Sequence, residues 1–159
     1  MENPYNKAFV AKSLYGSVTL LAVLLSLEDH LPTAWHGASL LFGTALSVAL
    51  AEAFSESISQ VIAGKKRLDR AELRAIWHET RPVLLAAYPP LLMMVLAGIG
   101  WLSVATAITL AKRLIYATLF LYGLRIGYLL HGPKLRMFLA GVFTLGIGGL
   151  LGLIKLLFH

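Results

Sequence analysis

One apolar stretch, residues 42–63, constrains the fold of this chain more than any other feature. It reads FGTALSVALAEAFSESISQVIA, long enough to cross a bilayer as a helix, yet it contains Glu52 and Glu56. The two acids lie four residues apart and therefore share one face of a helix. An ionisable side chain inside a membrane is costly, so such a residue indicates a functional site. The alternative for Glu56, which lies nearer the end, is that its carboxylate reaches the headgroup layer.

Small residues form a row beside the two acids at the same four-residue spacing. The row consists of Ser39, Gly43, Ser47, Ala51, Ser55 and Ser59. Such a row allows another helix to approach closely, and GxxxG pairs near the end of the chain predict further close contacts. These pairs are Gly123 with Gly127 and Gly148 with Gly152. We expect helix–helix packing through these small-residue faces, including a homodimer.

The composition predicts a single membrane domain over residues 1–159. Hydrophobic residues make up 58% of the chain and cysteine is absent, so neither a disulfide framework nor a thiolate metal site is expected. Hydropathy predicts five segments, each near or above the ~20 residues that span a bilayer. They cover about 9–27, 36–62, 81–100, 103–128 and 135–158. The predicted fold is all-α and polytopic, and the first segment is expected to be retained because the start lacks a cleavable leader pattern.

A short interfacial helix is predicted over about residues 69–79, between the second and third segments. Asp69 has the chemistry of an N-cap, and Glu72 follows three residues later, as in a capping box. Leu73, Ile76 and Trp77 then share one face, so this helix is expected to rest on the cytoplasmic surface of the membrane. The alternative is a simple connector whose charges set the topology.

The third segment contains two consecutive prolines, Pro89 and Pro90. A proline lacks a backbone donor and clashes with the carbonyl four residues back, so we expect a kink or a break here. Broken helices line ion paths in some transporters, whereas plain kinks are tolerated in many bundles.

Lysine and arginine residues predict the orientation. They lie in the N-terminal arm with Lys7 and Lys12, in the loop after segment two and in the turn after segment four. The positive-inside rule then puts the N-terminus in the cytoplasm and the C-terminus outside, in a plasma or inner membrane. No basic stripe is interleaved with stacking aromatic residues, so the expected partners are the bilayer and other membrane subunits rather than nucleic acid.

Lys112 and Arg113 lie inside the fourth segment, where cations are unexpected. Counted along the helices from the outer end, Lys112 lies at ~14 Å and Glu52 at ~24 Å, a gap that helix tilt and long side chains can largely bridge. Three explanations are open: an ion pair with Glu52, snorkelling to the outer interface, or a water-filled cavity. Binding of an anionic substrate or lipid headgroup from the outer side is a further use for the two cations.

Motifs of the common enzyme classes do not occur. The chain has no G-x-S-x-G elbow, P-loop, dinucleotide glycine fingerprint or HExxH, so we expect no catalytic residues and no bound cofactor. His78 and Glu79 are adjacent and point in different directions on a helix, which makes them a poor bidentate site.

The second segment and the last two segments resemble the vacuolar iron transporter family. The resemblance rests on residues 45–55, ALSVALAEAFS, against a family pattern close to A-x-S-M-x-x-G-E-[YF]-x-S, and on residues 119–125, LFLYGLR, with the glycine-rich final helix. Members of that family are dimeric five-helix proteins that export ferrous or manganous ions from the cytosol, generally in exchange for protons. The resemblance implies the same fold, with a divalent metal ion as transported substrate.

The resemblance also implies roles for particular residues. Glu52 would bind the ion or proton at mid-membrane, beside Glu56 and Ser55, and carboxylate and imidazole donors suit a divalent cation. A reduced cytoplasmic entry station for the metal would consist of Glu72, His78 and Glu79.

Departures from the family pattern leave a second function open. The first helix has Gly16-Ser17 where the family has an ion-binding Asp, and the path methionine is Val48. The long acidic cytoplasmic helices are reduced to residues 64–80. The alternative to metal/proton exchange is a non-transporting structural or accessory membrane subunit, with Glu52 and Glu56 held in a polar clasp by Lys112 and Arg113.

Overall fold

Five helices form the described part of the chain. The computed structural model describes residues 4–27, 33–64, 69–129 and 133–158, with side chains for all of these except 4–8, 71–73, 129, 152, 155, 156 and 158. The helices are α1 (Pro4–Leu27), α2 (Ala34–Ile62), α3 (Arg70–Gly98), α4 (Val104–Leu129) and α5 (Lys134–Phe158). These ranges contain no strand, and each helix is long and apolar enough to cross a membrane. The predicted all-α class with five such helices is confirmed.

Polar side chains and one glycine define where helices begin and end. Thr33 Oγ1 accepts a hydrogen bond from the His36 backbone N–H (3.2 Å), and Ser103 Oγ accepts one from Thr106 N–H (3.1 Å), which caps the starts of α2 and α4. Between α3 and α4, Gly100 adopts φ +86°, a conformation that side chains disfavour, so the chain can reverse within a few residues.

Helix α3 corrects the prediction of a separate interfacial helix over 69–79. Asp69 precedes the helix as expected and accepts a hydrogen bond from Arg70 N–H (2.6 Å), but α3 then continues without interruption to Gly98. Its 29 residues extend ~43 Å, whereas the hydrocarbon layer is ~30 Å thick. Helix α3 is therefore longer than the hydrocarbon layer is thick, and the residues of the predicted interfacial helix are its first turns. The Glu72 side chain lies outside the described residues.

Prolines do not break α3. Pro82, Pro89 and Pro90 all lie inside the helix, so α3 is not broken at Tyr88-Pro89-Pro90, and the alternative expectation of a kink there stays a prediction. Pro90 is buried, whereas Tyr88 is 65% exposed. Proline is tolerated inside α3 because neighbouring helices pack against α3 and hold it in place.

The helices run up and down through the bundle. The pairs Lys12–Glu79 and Gly16–Val83 show that α1 and α3 are parallel, whereas Trp35 against Gly98 shows that α2 and α3 are antiparallel. The last turns of α2 and α4 therefore lie at the same end of the bundle as the first turns of α1. We call this the basic end, because the sequence segments that join helices at the opposite end, residues 28–33 and 99–103, contain no Lys or Arg.

Helix α1 occupies the centre of the bundle. It packs against each of the other four helices, while α2 packs mainly on α3, and α5 mainly on α4. The core consists chiefly of aliphatic side chains from α1, α2, α3 and α4, among them Leu20, Leu21, Leu24, Leu41, Met94, Ile115 and Leu119. Helix α5 is peripheral and exposes large apolar residues such as Phe143 (71% exposed). An outer surface of this kind suits a lipid environment.

The GxxxG glycines of α4 bring α5 into close contact within the chain. A Cβ atom at Gly123 would collide with Thr144 Oγ1 and with the backbone of Ala140 and Gly141, and one at Gly127 would collide with the Met137 backbone. Thr144 Oγ1 lies 2.9 Å from the Leu119 carbonyl oxygen of α4. The Gly123–Gly127 motif therefore packs two helices of the same chain.

Candidate functional site

A groove between α1 and α2 contains the predicted ion-binding acid. The groove has a volume of about 600 Å³ and is lined by Tyr15 of α1 and by Ser47, Val48, Ala51, Glu52 and Ser55 of α2. Helix α2 packs mainly on α3 and less closely on α1, and it presents small side chains on this side, which leaves room for the groove. We call it the α1–α2 groove. It brings together Glu52 and Ser55, two of the residues predicted to bind an ion or a proton.

The Glu52 carboxylate lacks a complete set of partners. Its Oε2 atom is buried and has no hydrogen-bond partner among the described residues. The positive charge of Lys12, on α1, acts on this carboxylate. A carboxylate oxygen that is both shielded from water and unpaired is costly, so a bound proton or cation would stabilise it.

Lys12 links the groove to α3. Its Nζ lies 4.0 Å from Glu79 Oε2, and both side chains are partly buried, at 21% and 38% exposure. Lys12 lies one helical turn before Tyr15, on the side of α1 that borders the groove. Lys12 is thus paired with Glu79 of α3, and its charge also acts on Glu52 of α2.

Glu56 is held differently from Glu52. Its Oε1 accepts a hydrogen bond from Gln60 Nε2 (3.2 Å), one turn further along α2. The other side-chain atom of that amide, Gln60 Oε1, is buried without a partner among the described residues. Glu56 is not among the groove-lining residues, so the two predicted acids occupy adjacent but distinct surroundings.

The predicted metal ligands are not gathered into one cluster. Within the part of the chain that the structure describes, no group of three or more His, Asp or Glu side chains could hold a metal ion. Glu52 lines the groove, Glu79 contacts Lys12, and His78 is exposed on α3. The Glu72 side chain is outside the described set. A single chain thus offers one groove carboxylate and neighbouring hydroxyls, fewer donors than a divalent ion prefers.

Lys112 and Arg113 lie on a different side of the bundle from the groove. Both are on α4, which packs on α5, α3 and α1 and has no extensive contact with α2. Arg113 is exposed and lines a separate recess whose described walls all belong to α4. The contacts described for the two acids involve other residues: the charge of Lys12 acts on Glu52, and Gln60 is hydrogen-bonded to Glu56. The clasp between these four residues stays a prediction.

The small-residue row of α2 faces outward. Ser39, Ser47, Ala51, Ser55 and Ser59 are exposed, and a Cβ atom at Gly43 would meet open space. The opposite face of α2 is the buried one, and it consists largely of alanine. The row therefore forms an open, weakly polar strip along the mouth of the α1–α2 groove.

Two residues at or beside the groove, Tyr15 and Lys12, are not predicted as site residues from the sequence. Lys12 contributes only to the predicted orientation, and Tyr15 has no predicted role. The spacing of Lys12 and Tyr15 could have indicated the site. The two residues lie three apart and therefore share one face of α1, and α1 contains no acid that could neutralise Lys12. A partner on another helix was therefore required.

Comparisons with known proteins add no assignment. No family model, characterised protein or solved structure matches this chain. The resemblance to vacuolar iron transporters therefore stays a prediction from residues 45–55 and 119–125.

Proposed function

We propose that this chain is a multi-pass membrane protein that exchanges a cation for protons across the bilayer, with Glu52 as the binding group. The observation that carries the proposal is the Glu52 carboxylate, which lines an open groove within a membrane-length helix and has a buried oxygen without a partner. Such an oxygen is stabilised either by a proton or by a cation, and two ligands that compete for one group can be exchanged.

The proposed orientation puts the basic end in the cytoplasm of a plasma or inner membrane. The N-terminal arm, the loop after α2 and the turn after α4 carry the lysine and arginine residues that favour this side. Tryptophan is enriched at membrane–water interfaces, and the exposed tryptophans of this chain lie towards both ends of the bundle. Trp77 is exposed towards the basic end, and Trp35 and Trp101 are exposed at the opposite end.

The cation that we propose as the transported substrate is a divalent metal ion, such as the manganous or ferrous ion. The resemblance at residues 45–55 motivates this choice, and Glu52 supplies a hard oxygen donor. A second copy of the chain would supply the donors that one groove lacks, because the exposed row of α2 lies beside the groove and suits close approach of an identical helix. The proposal therefore includes a homodimer through α2.

Reconstitution of the purified chain tests the function. Liposomes that contain the protein and an internal pH dye are expected to take up Mn²⁺ and to move protons in the opposite direction, faster than protein-free liposomes. Equal rates with and without protein would contradict the proposal. They would favour the accessory-subunit alternative, which the lack of a three-ligand cluster among the described residues supports.

The dimer can be tested by disulfide cross-linking, because the chain contains no cysteine. Ser47→Cys lies on the exposed row of α2 and is expected to give a disulfide-linked dimer in oxidised membranes, since Cα atoms of facing helices can approach within ~6 Å. Phe143→Cys, on the exposed face of α5, is the control and is expected to stay monomeric on a denaturing gel. Equal cross-linking of both variants would argue against an α2 interface.

Lys12 is expected to compete with the transported cation for Glu52. Lys12→Gln removes a positive charge beside the groove, so the apparent affinity for Mn²⁺ should rise about threefold to tenfold. Lys12→Arg keeps the charge and should bind like the wild type. Glu79→Gln removes the acid that Lys12 contacts and should lower the affinity, because the ammonium is then attracted to Glu52 alone. An unchanged affinity in Lys12→Gln would show that Lys12 only packs the helices.

A further inference from the structure

Arg113 is an exposed cation within a membrane-length helix. It lines a recess of about 260 Å³ together with Ala105, Thr106, Thr109 and Leu110. These residues repeat at helical spacing, so the recess follows one face of α4 from Arg113 towards the start of the helix. The face is separate from the α1–α2 groove and plays no part in the proposed exchange.

The recess leads from Arg113 to a membrane surface. Side chains on a helix tilt towards its N-terminus, so Arg113 extends along the recess towards Val104. The backbone distance from Arg113 to Val104 is ~14 Å along the helix. Trp101, 76% exposed, lies just beyond that end, where tryptophan marks the headgroup layer. The guanidinium can therefore reach the headgroup region of the leaflet at the end opposite the basic end.

No described carboxylate is placed to neutralise Arg113. Glu79, on a helix that packs against α4, lies ~28 Å from this end of the bundle. Glu52 lies at a similar depth, on a helix with no extensive contact to α4. An arginine keeps its charge in a membrane, so its anion has to come from outside the described residues.

We propose that Arg113 binds the phosphate of an anionic phospholipid in the leaflet at the Val104 end. A guanidinium presents several N–H donors in a planar fork that matches two phosphate oxygens. Arg113 supplies the donors, because the Thr109 hydroxyl already donates to the Ala105 carbonyl (2.9 Å) and the Thr106 hydroxyl is hydrogen-bonded to Ser103 (2.8 Å). Leu110 and Ala105 offer apolar surface for the start of the acyl chains. A net negative headgroup is favoured because a choline would place a second cation beside the arginine.

Lipid binding to the delipidated full chain tests the site. In native mass spectrometry, phosphatidylglycerol should bind the wild type more tightly than phosphatidylcholine. Arg113→Gln should weaken the tightest phosphatidylglycerol site about tenfold, the effect of one charge-assisted hydrogen-bonded contact. Arg113→Lys, which keeps the charge but loses the fork, should show a smaller loss. Arg136→Gln removes the same charge at the basic end and is the matched control, expected to retain that site.

Three results would overturn the proposal. One is an unchanged phosphatidylglycerol affinity in Arg113→Gln, and another is an equal loss in Arg136→Gln. The third concerns the source of the phosphate: a titration in which inorganic phosphate binds in an Arg113-dependent way while phosphatidylglycerol does not would identify a soluble anion as the ligand. Because none of these measurements involves Mn²⁺ or flux, they are independent of the proposed exchange.

Discussion

Replacing Glu52 by glutamine is expected to reduce proton-coupled Mn²⁺ uptake to the rate of protein-free liposomes. Glutamine preserves the size of the side chain and can fill the same part of the α1–α2 groove, but it neither releases a proton nor supplies a negative charge. The variant should fold normally, because a neutral amide of the same size is less costly than a carboxylate whose buried oxygen has no described partner. The measurement is the initial rate of Mn²⁺ entry at a fixed pH gradient.

Glu56→Gln is the matched control for this substitution. The two acids lie one turn apart on α2, but Glu56 is hydrogen-bonded to Gln60 and does not line the groove. A glutamine at position 56 can still accept that bond, so uptake should be reduced only modestly. If Glu56→Gln stops uptake while Glu52→Gln leaves it intact, the binding group has been assigned to the wrong acid.

Gly123→Ala is expected to destabilise the α4–α5 pair by about 1–3 kcal/mol, the usual cost of overpacking a close contact. The added methyl group would collide with Thr144 Oγ1 and with the α5 backbone at Ala140 and Gly141, and a backbone cannot turn away as a flexible side chain can. The hydrogen-bond contact between Thr144 and the Leu119 carbonyl would be disturbed as well. Unfolding of the purified protein in detergent, followed by its helical circular dichroism, measures the loss.

Gly146→Ala provides the comparison for this glycine. Gly146 lies on α5, two residues from Thr144, and a Cβ atom there would meet open space. The substitution should leave stability unchanged or raise it slightly, because alanine has the better helix propensity. Equal destabilisation by both alanines would show that the α4–α5 contact is not as close as described.

The lengths of three helices, α2, α4 and α5, could be predicted from the sequence, but the arrangement of the helices could not. Helix α2 begins and ends within two residues of the predicted segment 36–62, because a membrane-length apolar run leaves few alternatives to a helix. Lipid and protein interior are both apolar, so hydrophobicity does not reveal which face of a helix is buried. The central position of α1 and the peripheral position of α5 were accordingly not predicted.

The boundary near residue 80 shows a different limit. Asp69 lies directly before α3, where the capping pattern predicts the start of a helix, but such a pattern indicates where a helix starts and not where it ends. Since no residue between His78 and Arg81 breaks a helix, the predicted interfacial helix and the third segment became one, α3. Hydropathy predicts two elements here because it shows where the apolar part of the sequence begins and not where the helix begins.

The candidate site was predicted in part. Glu52 could be identified from its depth in an apolar helix, since an intramembrane acid is rare. Pairing of Glu52 with Lys112 or Arg113, one of three explanations that the sequence leaves open, rests on a depth calculation that carries no information about which helices are neighbours. The ion pair between Lys12 and Glu79 could not be predicted, because it depends on the parallel contact between α1 and α3. The pattern of residues within one helix does not show which distant helices it contacts, so contacts of this kind could not be predicted.

Proton release on metal binding tests the central claim most directly, because it examines Glu52 itself and needs no transport. The purified protein in weakly buffered detergent solution is mixed with Mn²⁺, and the pH change is recorded with an indicator dye. The wild type is expected to release protons as Mn²⁺ displaces them from Glu52, whereas Glu52→Gln is expected to release none under the same conditions. Proton release of equal size from both proteins, or none from the wild type, would contradict the assignment of Glu52 as the group that exchanges a proton for a cation.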